Sequence, residues 1–160
     1  MKINSCSDCG VEVPDDMAAC SNLFDAVLAR DFSDYQYFQT HRMLVDAYSL
    51  QHPDQYMRSG KSFAAHLTGM CAAMEYTGDT LVNRAVQQWL NGAKVLTKPD
   101  KLPDFRGSIT VLYVYEAMNG LDHNNRVREW AADVWRAWAS LHDLARIWIE
   151  EALISHTGRR

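Results

Sequence analysis

Three cysteines in the first twenty residues restrict the N-terminal part of this chain to a few structures. Cys6 and Cys9 lie in the sequence CSDCG, a tight turn in which two thiolates can face one metal ion, and Cys20 follows after a short loop. Three such ligands predict a structural zinc ion, whose tetrahedron a histidine can complete. The alternatives are a redox CxxC pair, which normally opens a helix after a strand, and unpaired, inert thiols.

Residues 41–53, HRMLVDAYSLQHP, form the segment around which the rest of the chain is expected to pack. Their apolar residues recur at helical spacing, so one face of this helix must be buried. His41 and His52 are eleven residues apart, or about 16 Å along a helix, so one ion cannot bind both. Asp46 points to a different side, where Arg42 is a possible partner four residues earlier.

Helical periodicity continues through the chain and predicts an all-α fold. We expect a single domain at residues 1–160, with a zinc-knuckle loop at 1–20 and a bundle of five or six helices at 21–160. The sequence of residues 91–108 predicts a long surface connection that can also line a pocket. Residues 109–118 are compatible with a strand or a helix, and we prefer the helix. The first helix is expected at about residues 18–30. The second begins at a capping box at 33–36 and ends at His52, before Pro53. Three more helices are expected at about 61–76, 81–90 and 123–154.

The fourth zinc ligand follows from the order of the first two long helices. If they are antiparallel and joined near residue 33, Cys20 lies level with about Asp46, and the CxxC loop extends towards the His52 end. The sequence therefore predicts that His52 is the fourth ligand, and His41 is the alternative. The predicted metal ligands are Cys6, Cys9, Cys20 and His52.

A second cluster of polar residues suggests catalysis. If the second and third long helices pack as a hairpin, His66 lies level with Asp46, and the two side chains can form a hydrogen bond. That bond would orient the imidazole of His66. The imidazole could then act as a general base or as a partner of a metal-bound group. The alternative is a buried structural pair. His142 could join His41 or His66 in a second metal site. The candidate catalytic residues are Asp46, His66, His41 and His142.

The composition of the chain limits which binding partners and which cell compartment we expect. The net charge of −4 and the lack of long basic runs argue against nonspecific nucleic-acid binding, and no apolar run is long enough to cross a membrane. The N-terminal sequence MKINSCSDCG lacks the apolar region of a signal peptide, so we expect a cytoplasmic protein. Four of the five tryptophans lie in the last predicted helix. We expect them to pack this helix against the bundle, and the alternative is that they form an aromatic binding site for a ligand.

Several sequence blocks resemble an uncharacterised family of small bacterial proteins with a domain of unknown function. The blocks are CSDCG with a later Cys20, VDAYSLQHP, His66-Leu67, GSITV, WAADVW and AWASLHDLARIW, and together they span nearly the whole chain. The resemblance implies a shared fold and shared site positions, whereas the chemistry must be inferred from the site itself.

Three functions follow from these features. The first is an adaptor or regulator whose zinc knuckle and tryptophan-lined surface bind another protein. The second is a metal-dependent or general-base enzyme that acts on a small molecule through the His/Asp pocket. The third is a thiol-based redox or metal sensor that uses the three N-terminal cysteines.

Overall fold

A computed structural model describes residues 4–158, so the ends of the predicted domain, at 1–3 and 159–160, lie outside the described residues. The all-α prediction is confirmed: within 4–158 there are six helices of eleven or more residues, three shorter ones and one two-stranded hairpin. The strands are β1 (Asn4–Ser5) and β2 (Glu12–Val13), and the helices are α1 (Cys20–Ser33), α2 (Tyr35–Phe38), α3 (His41–Gln51), α4 (Pro53–Tyr56), α5 (Gly60–Glu75), α6 (Thr80–Asn91), α7 (Val111–Tyr115), α8 (Gly120–Ala137) and α9 (His142–Thr157).

The core forms where α3 packs against α5 and α8, and where α9 packs against α5 and α6. All five tryptophans are buried in it, with exposures of 7% or less, so their predicted role in packing is confirmed. The hypothesis of a tryptophan-lined binding surface is wrong, because no indole among them is exposed enough to serve as one. Cys71 is fully buried on α5, as expected of a small core residue. None of the described helices is long and apolar enough to span a membrane.

The predicted helix from the capping box to His52 is interrupted, and this prediction is corrected. The chain leaves helical geometry at Thr40, whose hydroxyl donates to the Asn124 side chain on α8 at 2.7 Å. Asn124 in turn donates to the Gln36 carbonyl at 2.7 Å. These hydrogen bonds come from a helix distant in sequence, so local propensity could not reveal the break. The cap residue of α2 is Asp34, whereas Ser33 is the last residue of α1.

The predicted helix at 123–154 is also two helices. A turn at Trp138 and a short 3₁₀ segment at Ala139–Leu141 separate α8 from α9. Trp138 is fully buried, and its amide donates to the carbonyls of Val134 and Trp135 at 3.1 Å. The turn allows α9 to lie against α5 and α6 while α8 lies against α3. No glycine or proline marks it in the sequence, so the cause of the turn is tertiary packing.

The connection at residues 92–110 is anchored to the bundle through one buried amide. The Gln51 side chain donates to the carbonyls of Arg106 at 3.2 Å and Ile109 at 2.8 Å, and accepts from the Trp130 indole at 3.1 Å. Asp133 adds a second anchor, since its carboxylate accepts from the Ile109 amide at 2.9 Å. The helix preferred for residues 109–118 is present as the shorter α7.

Candidate metal centre and neighbouring polar clusters

A short hairpin presents the first two cysteines. Asn4 pairs with Val13 and Ser5 with Glu12 across the two strands. The turn between them closes when the Gly10 amide donates to the Cys6 carbonyl at 2.9 Å. Gly10 has a φ of 75°, in the left-handed region that glycine adopts without strain. This turn places Cys6 and Cys9 beside each other, as a CxxCG sequence requires.

The other two candidate ligands come from helix ends. Cys20 is the first residue of α1 and is buried. His52 lies between α3 and α4 with φ −129° and ψ 55°, because the ring of Pro53 disfavours α geometry at the residue before it. The proline that ends α3 therefore also sets the direction in which the His52 imidazole leaves the chain.

The four side chains meet as predicted. The Nε2 atom of His52 lies 3.6 Å from the sulfur atoms of both Cys6 and Cys20, and the Cys9 and Cys20 sulfur atoms are 3.7 Å apart. All four ligand atoms lie within 4.8 Å of one another. This set of three sulfurs and one nitrogen is positioned to hold a single metal ion, and the histidine is the one expected from the antiparallel arrangement of α1 and α3.

Groups behind the ligands fix the orientation of the imidazole. The Nδ1 atom of His52 donates to the Tyr48 carbonyl at 2.8 Å, which leaves Nε2 facing the sulfur atoms. The Tyr48 hydroxyl donates to the Cys20 sulfur at 3.6 Å, and its ring stacks between Phe24 at 3.8 Å and His52 at 4.0 Å. Tyr48 thus supports two ligands at once, a role that the sequence alone did not reveal.

Before an ion binds, the site favours a thiolate and imidazolium pair. The pKa of Cys20 is lowered to about 4, chiefly by a hydrogen bond from Cys9. Burial raises this pKa, but hydrogen bonds from His52 and Tyr48 lower it further. Burial disfavours the charged form of His52, but hydrogen bonds to Cys20, the Tyr48 carbonyl and Cys6 outweigh it and raise its pKa to about 9. The hydrogen bond to Cys20 and burial both raise the pKa of Cys9.

We expect metal binding to release protons from His52 and Cys9, so affinity should rise with pH between 6.5 and 8.5. Both groups hold their protons in this range, whereas Cys20 has already lost its proton. Competition with a chromophoric chelator at several pH values measures the slope, and calorimetry in two buffers counts the protons. His52→Ala should release about one proton fewer. An affinity independent of pH would contradict this ionisation scheme.

His41 lies at the opposite end of α1 and α3, in a different cluster. Its Nδ1 atom is 2.9 Å from one carboxylate oxygen of Asp31, and the Nε2 atom of His123 is 2.9 Å from the other. The His123 contact lacks the alignment of a hydrogen bond, and neither ring nitrogen of His123 has a hydrogen-bond partner among the described residues. Asp31 and His123 are buried, and sequence reasoning missed both. The available signal was spacing, because Asp31 continues the buried stripe of Leu23 and Val27 at four-residue intervals.

Asp46 and His66 form the predicted pair. The Nδ1 atom of His66 donates to Asp46 at 2.8 Å, and Arg42 lies 3.0 Å from the other oxygen of the same carboxylate. Both predicted contacts of Asp46 are confirmed, while its role in catalysis stays a prediction. Gly69 makes room for this cluster, because a Cβ atom there would lie 2.4 Å from the Asp46 carboxylate.

Gly69→Ala is expected to lower the free energy of unfolding by about 1–3 kcal/mol, because the added methyl group collides with Asp46 and Arg42. Alanine normally stabilises a helix relative to glycine, so the sign itself is informative. Urea denaturation measures the change. In an Asp46→Ala, Arg42→Ala background the same substitution should become neutral or stabilising. A stabilising effect in the unaltered protein would show that the cluster is not closely packed.

His142 does not meet the other candidate catalytic histidines. Its Nε2 atom donates to the Trp135 carbonyl at 2.7 Å, and its ring stacks on the Trp135 indole at 3.8 Å. It thereby satisfies a carbonyl at the end of α8. Within residues 4–158, the Cys/His group is the only set of three or more histidine, cysteine or acidic side chains close enough for one ion, so a second site that joins His142 to His41 or His66 is not found there.

Comparison with known proteins identifies one family. A family model described as a family of unknown function (DUF5946) matches residues 4–139, which include the four metal-binding candidates and both histidine–aspartate clusters. No curated protein and no solved structure matches the chain.

Proposed function

This chain belongs to DUF5946, a family of unknown function, and we propose that it is a zinc-binding helical adaptor or regulator that acts in the cytoplasm by binding another protein. The zinc ion fixes the N-terminal hairpin to the bundle. A surface of exposed aromatic side chains at the end of α1 makes the contact.

The spacing of the ligand atoms supports zinc. A tetrahedral zinc ion with bonds of about 2.3 Å to sulfur and about 2.0–2.1 Å to nitrogen has edges of about 3.8 Å between sulfurs and about 3.6 Å between sulfur and nitrogen. The Cys9 and Cys20 sulfurs are 3.7 Å apart, the His52 nitrogen lies 3.6 Å from the Cys6 and Cys20 sulfurs, and the remaining pairs lie within 4.8 Å. Four protein ligands leave no open position for a substrate, which favours a structural ion over a catalytic one. A reducing cytoplasm would keep the thiols available for the metal.

The observation that carries the adaptor function is a group of exposed aromatic residues. Phe32, Tyr35 and Phe38 are 71%, 79% and 46% exposed, and they occupy a stretch of seven residues in α1 and α2. The rings of Phe32 and Phe38 lie 5.7 Å apart, and Phe38 stacks on His41 at 4.7 Å. We call these three residues the aromatic surface.

Aromatic side chains are enriched at the centres of protein interfaces, where they bury a large apolar area at a small cost in conformational entropy. The aromatic surface also has a rigid support. His41, on which Phe38 stacks, is held by the buried Asp31. A partner would therefore find the Phe38 ring prearranged, which favours a protein contact at this surface.

A photo-crosslinking experiment tests this function. A crosslinking amino acid at Tyr35 should capture a defined protein in cells, whereas one at Ile154, a 71% exposed position on α9, should not. Purified partner should then bind the Phe32→Ala variant at least about tenfold more weakly and bind Ile154→Ala normally. Equal capture at both positions, or binding unaffected by Phe32→Ala, would reject the aromatic surface.

A second candidate function is general-base catalysis by His66. The carboxylate of Asp46 holds the Nδ1 proton of His66, so Nε2 is available to accept a proton from a substrate. His66→Ala should then remove an activity towards small molecules while leaving zinc bound, whereas Cys9→Ser should release zinc and lower the melting temperature. An activity that survives His66→Ala would reject this role.

A further inference from the structure

A cavity of about 460 Å³ lies between α3, α5 and α6, and it takes no part in the functions proposed above. None of the four metal-binding candidates borders it. The volume falls in the range of small-molecule sites, which is about 300–1,000 Å³. We call it the α3–α5–α6 cavity.

Small residues on α5 keep this space open. Ala65, Gly69, Ala72 and Ala73 line one wall, where larger side chains would fill the space between the helices. Longer apolar side chains on the two other helices complete the walls. They are Met43 on α3 and Val86 and Leu90 on α6. The cavity can therefore take up the apolar body of a ligand, and burial of that body drives binding.

Arg42 is the one charged residue among those that line the cavity. The other polar lining groups are neutral amides and hydroxyls, from residues such as Gln39, Asn83 and Gln87. No carboxylate is among the lining residues, and the nearby carboxylate of Asp46 is already paired with Arg42 and His66. The charge of the lining thus favours a ligand with a single negative group.

Arg42 is also held in position. Its Nε atom donates to Asp46 at 3.0 Å, and its Nη2 atom donates to the Ala65 carbonyl at 3.1 Å. A guanidinium has five N–H donors, so the Nη1 protons and one Nη2 proton have no partner among residues 4–158. The Arg42 side chain is 60% exposed, so these free donors remain available to a carboxylate, which a guanidinium can bind with two parallel hydrogen bonds.

We propose that the α3–α5–α6 cavity binds a small monocarboxylate with an apolar body, whose carboxylate pairs with Arg42. The apolar body lies against the alanines of α5 and the larger side chains of α3 and α6. Asp46 acts as a positioning residue, because its carboxylate accepts a hydrogen bond from the Nε atom of the guanidinium. Binding here depends neither on a protein partner nor on the aromatic surface.

The test uses the full-length, zinc-loaded protein with octanoate as the probe and 1-octanol as its uncharged counterpart. Calorimetry and chemical shifts of the cavity residues should show octanoate binding at one site, at least about tenfold more tightly than the alcohol, since a hydrogen-bonded charge is the difference between them. Arg42→Gln should remove that preference while leaving the alcohol affinity unchanged. Arg126→Gln, which alters another arginine paired with an aspartate four residues away, is the matched control and should leave both affinities unchanged.

A second variant fills the cavity without altering the charge. Ala73→Phe should abolish binding of both probes, whereas Ala132→Phe, at a half-buried helical alanine outside the lining, should not. Circular dichroism confirms that each variant is folded. Octanoate and octanol binding equally, a preference that survives Arg42→Gln, or binding that survives Ala73→Phe would each overturn the proposal. So would the absence of octanoate binding at millimolar concentration.

Discussion

His52→Ala should lower the affinity of the protein for zinc by more than about a hundredfold, whereas His41→Ala should leave it nearly unchanged. Loss of a hydrogen-bond partner behind a metal ligand already costs about 10–100-fold in affinity, and loss of the ligand itself opens the coordination sphere to water. His52 lies 3.6 Å from two cysteine sulfurs, while His41 contacts Asp31 at the far end of the same helix.

Competition with a chromophoric zinc chelator compares the two variants directly. Tyr48→Phe provides an intermediate case, since it removes the hydroxyl that donates to Cys20 and leaves the carbonyl that holds His52. Its affinity should fall between those of the unaltered protein and His52→Ala. If His41→Ala released the ion and His52→Ala retained it, the arrangement of ligands described above would be wrong.

Gln51→Ala should lower the free energy of unfolding by about 3 kcal/mol or more. The substitution leaves the buried Trp130 indole and the partly buried carbonyls of Arg106 and Ile109 without their partner, and a buried polar group left unpaired costs about 1–3 kcal/mol. It also removes an anchor of the connection at residues 92–110. Urea denaturation measures the loss, and hydrogen exchange at the amides of residues 106–110 should accelerate.

Gln55→Ala is the control for this prediction, because the Gln55 side chain is exposed and near in sequence. Its effect should stay within about 0.5 kcal/mol. A loss of less than about 1 kcal/mol in Gln51→Ala would mean that water or a rearranged loop satisfies the three groups.

The sequence revealed those parts of the site that depend on local spacing. CSDCG fixes a tight turn, Pro53 ends α3 at His52, and the order of the helices brings these parts together with Cys20. The four ligand residues could therefore be named in advance. The pairing of Asp46 with His66 likewise followed from counting residues along two adjacent helices.

The features that the sequence did not reveal depend on helices distant in the chain. Asn124 on α8 stabilises the break at Thr40. His123, from the same helix, meets Asp31 in the core. Helical periodicity describes each segment separately, so it could not show that α8 supplies polar partners to α1, α2 and α3. The break at Trp138 was not predicted for the same reason, because packing against other helices causes it.

Three of the four candidate metal ligands lie within fifteen residues, at Cys6, Cys9 and Cys20, whereas His52 is 32 residues beyond Cys20. The unfolded chain thus retains three neighbouring cysteines, and we expect any metal ion that they bind there to weaken the stabilisation that excess metal can provide. The native fold contributes chiefly the fourth bond. We therefore expect that during synthesis the cysteines can bind an ion before His52 has left the ribosome, and that the packing of α1 against α3 then completes the coordination.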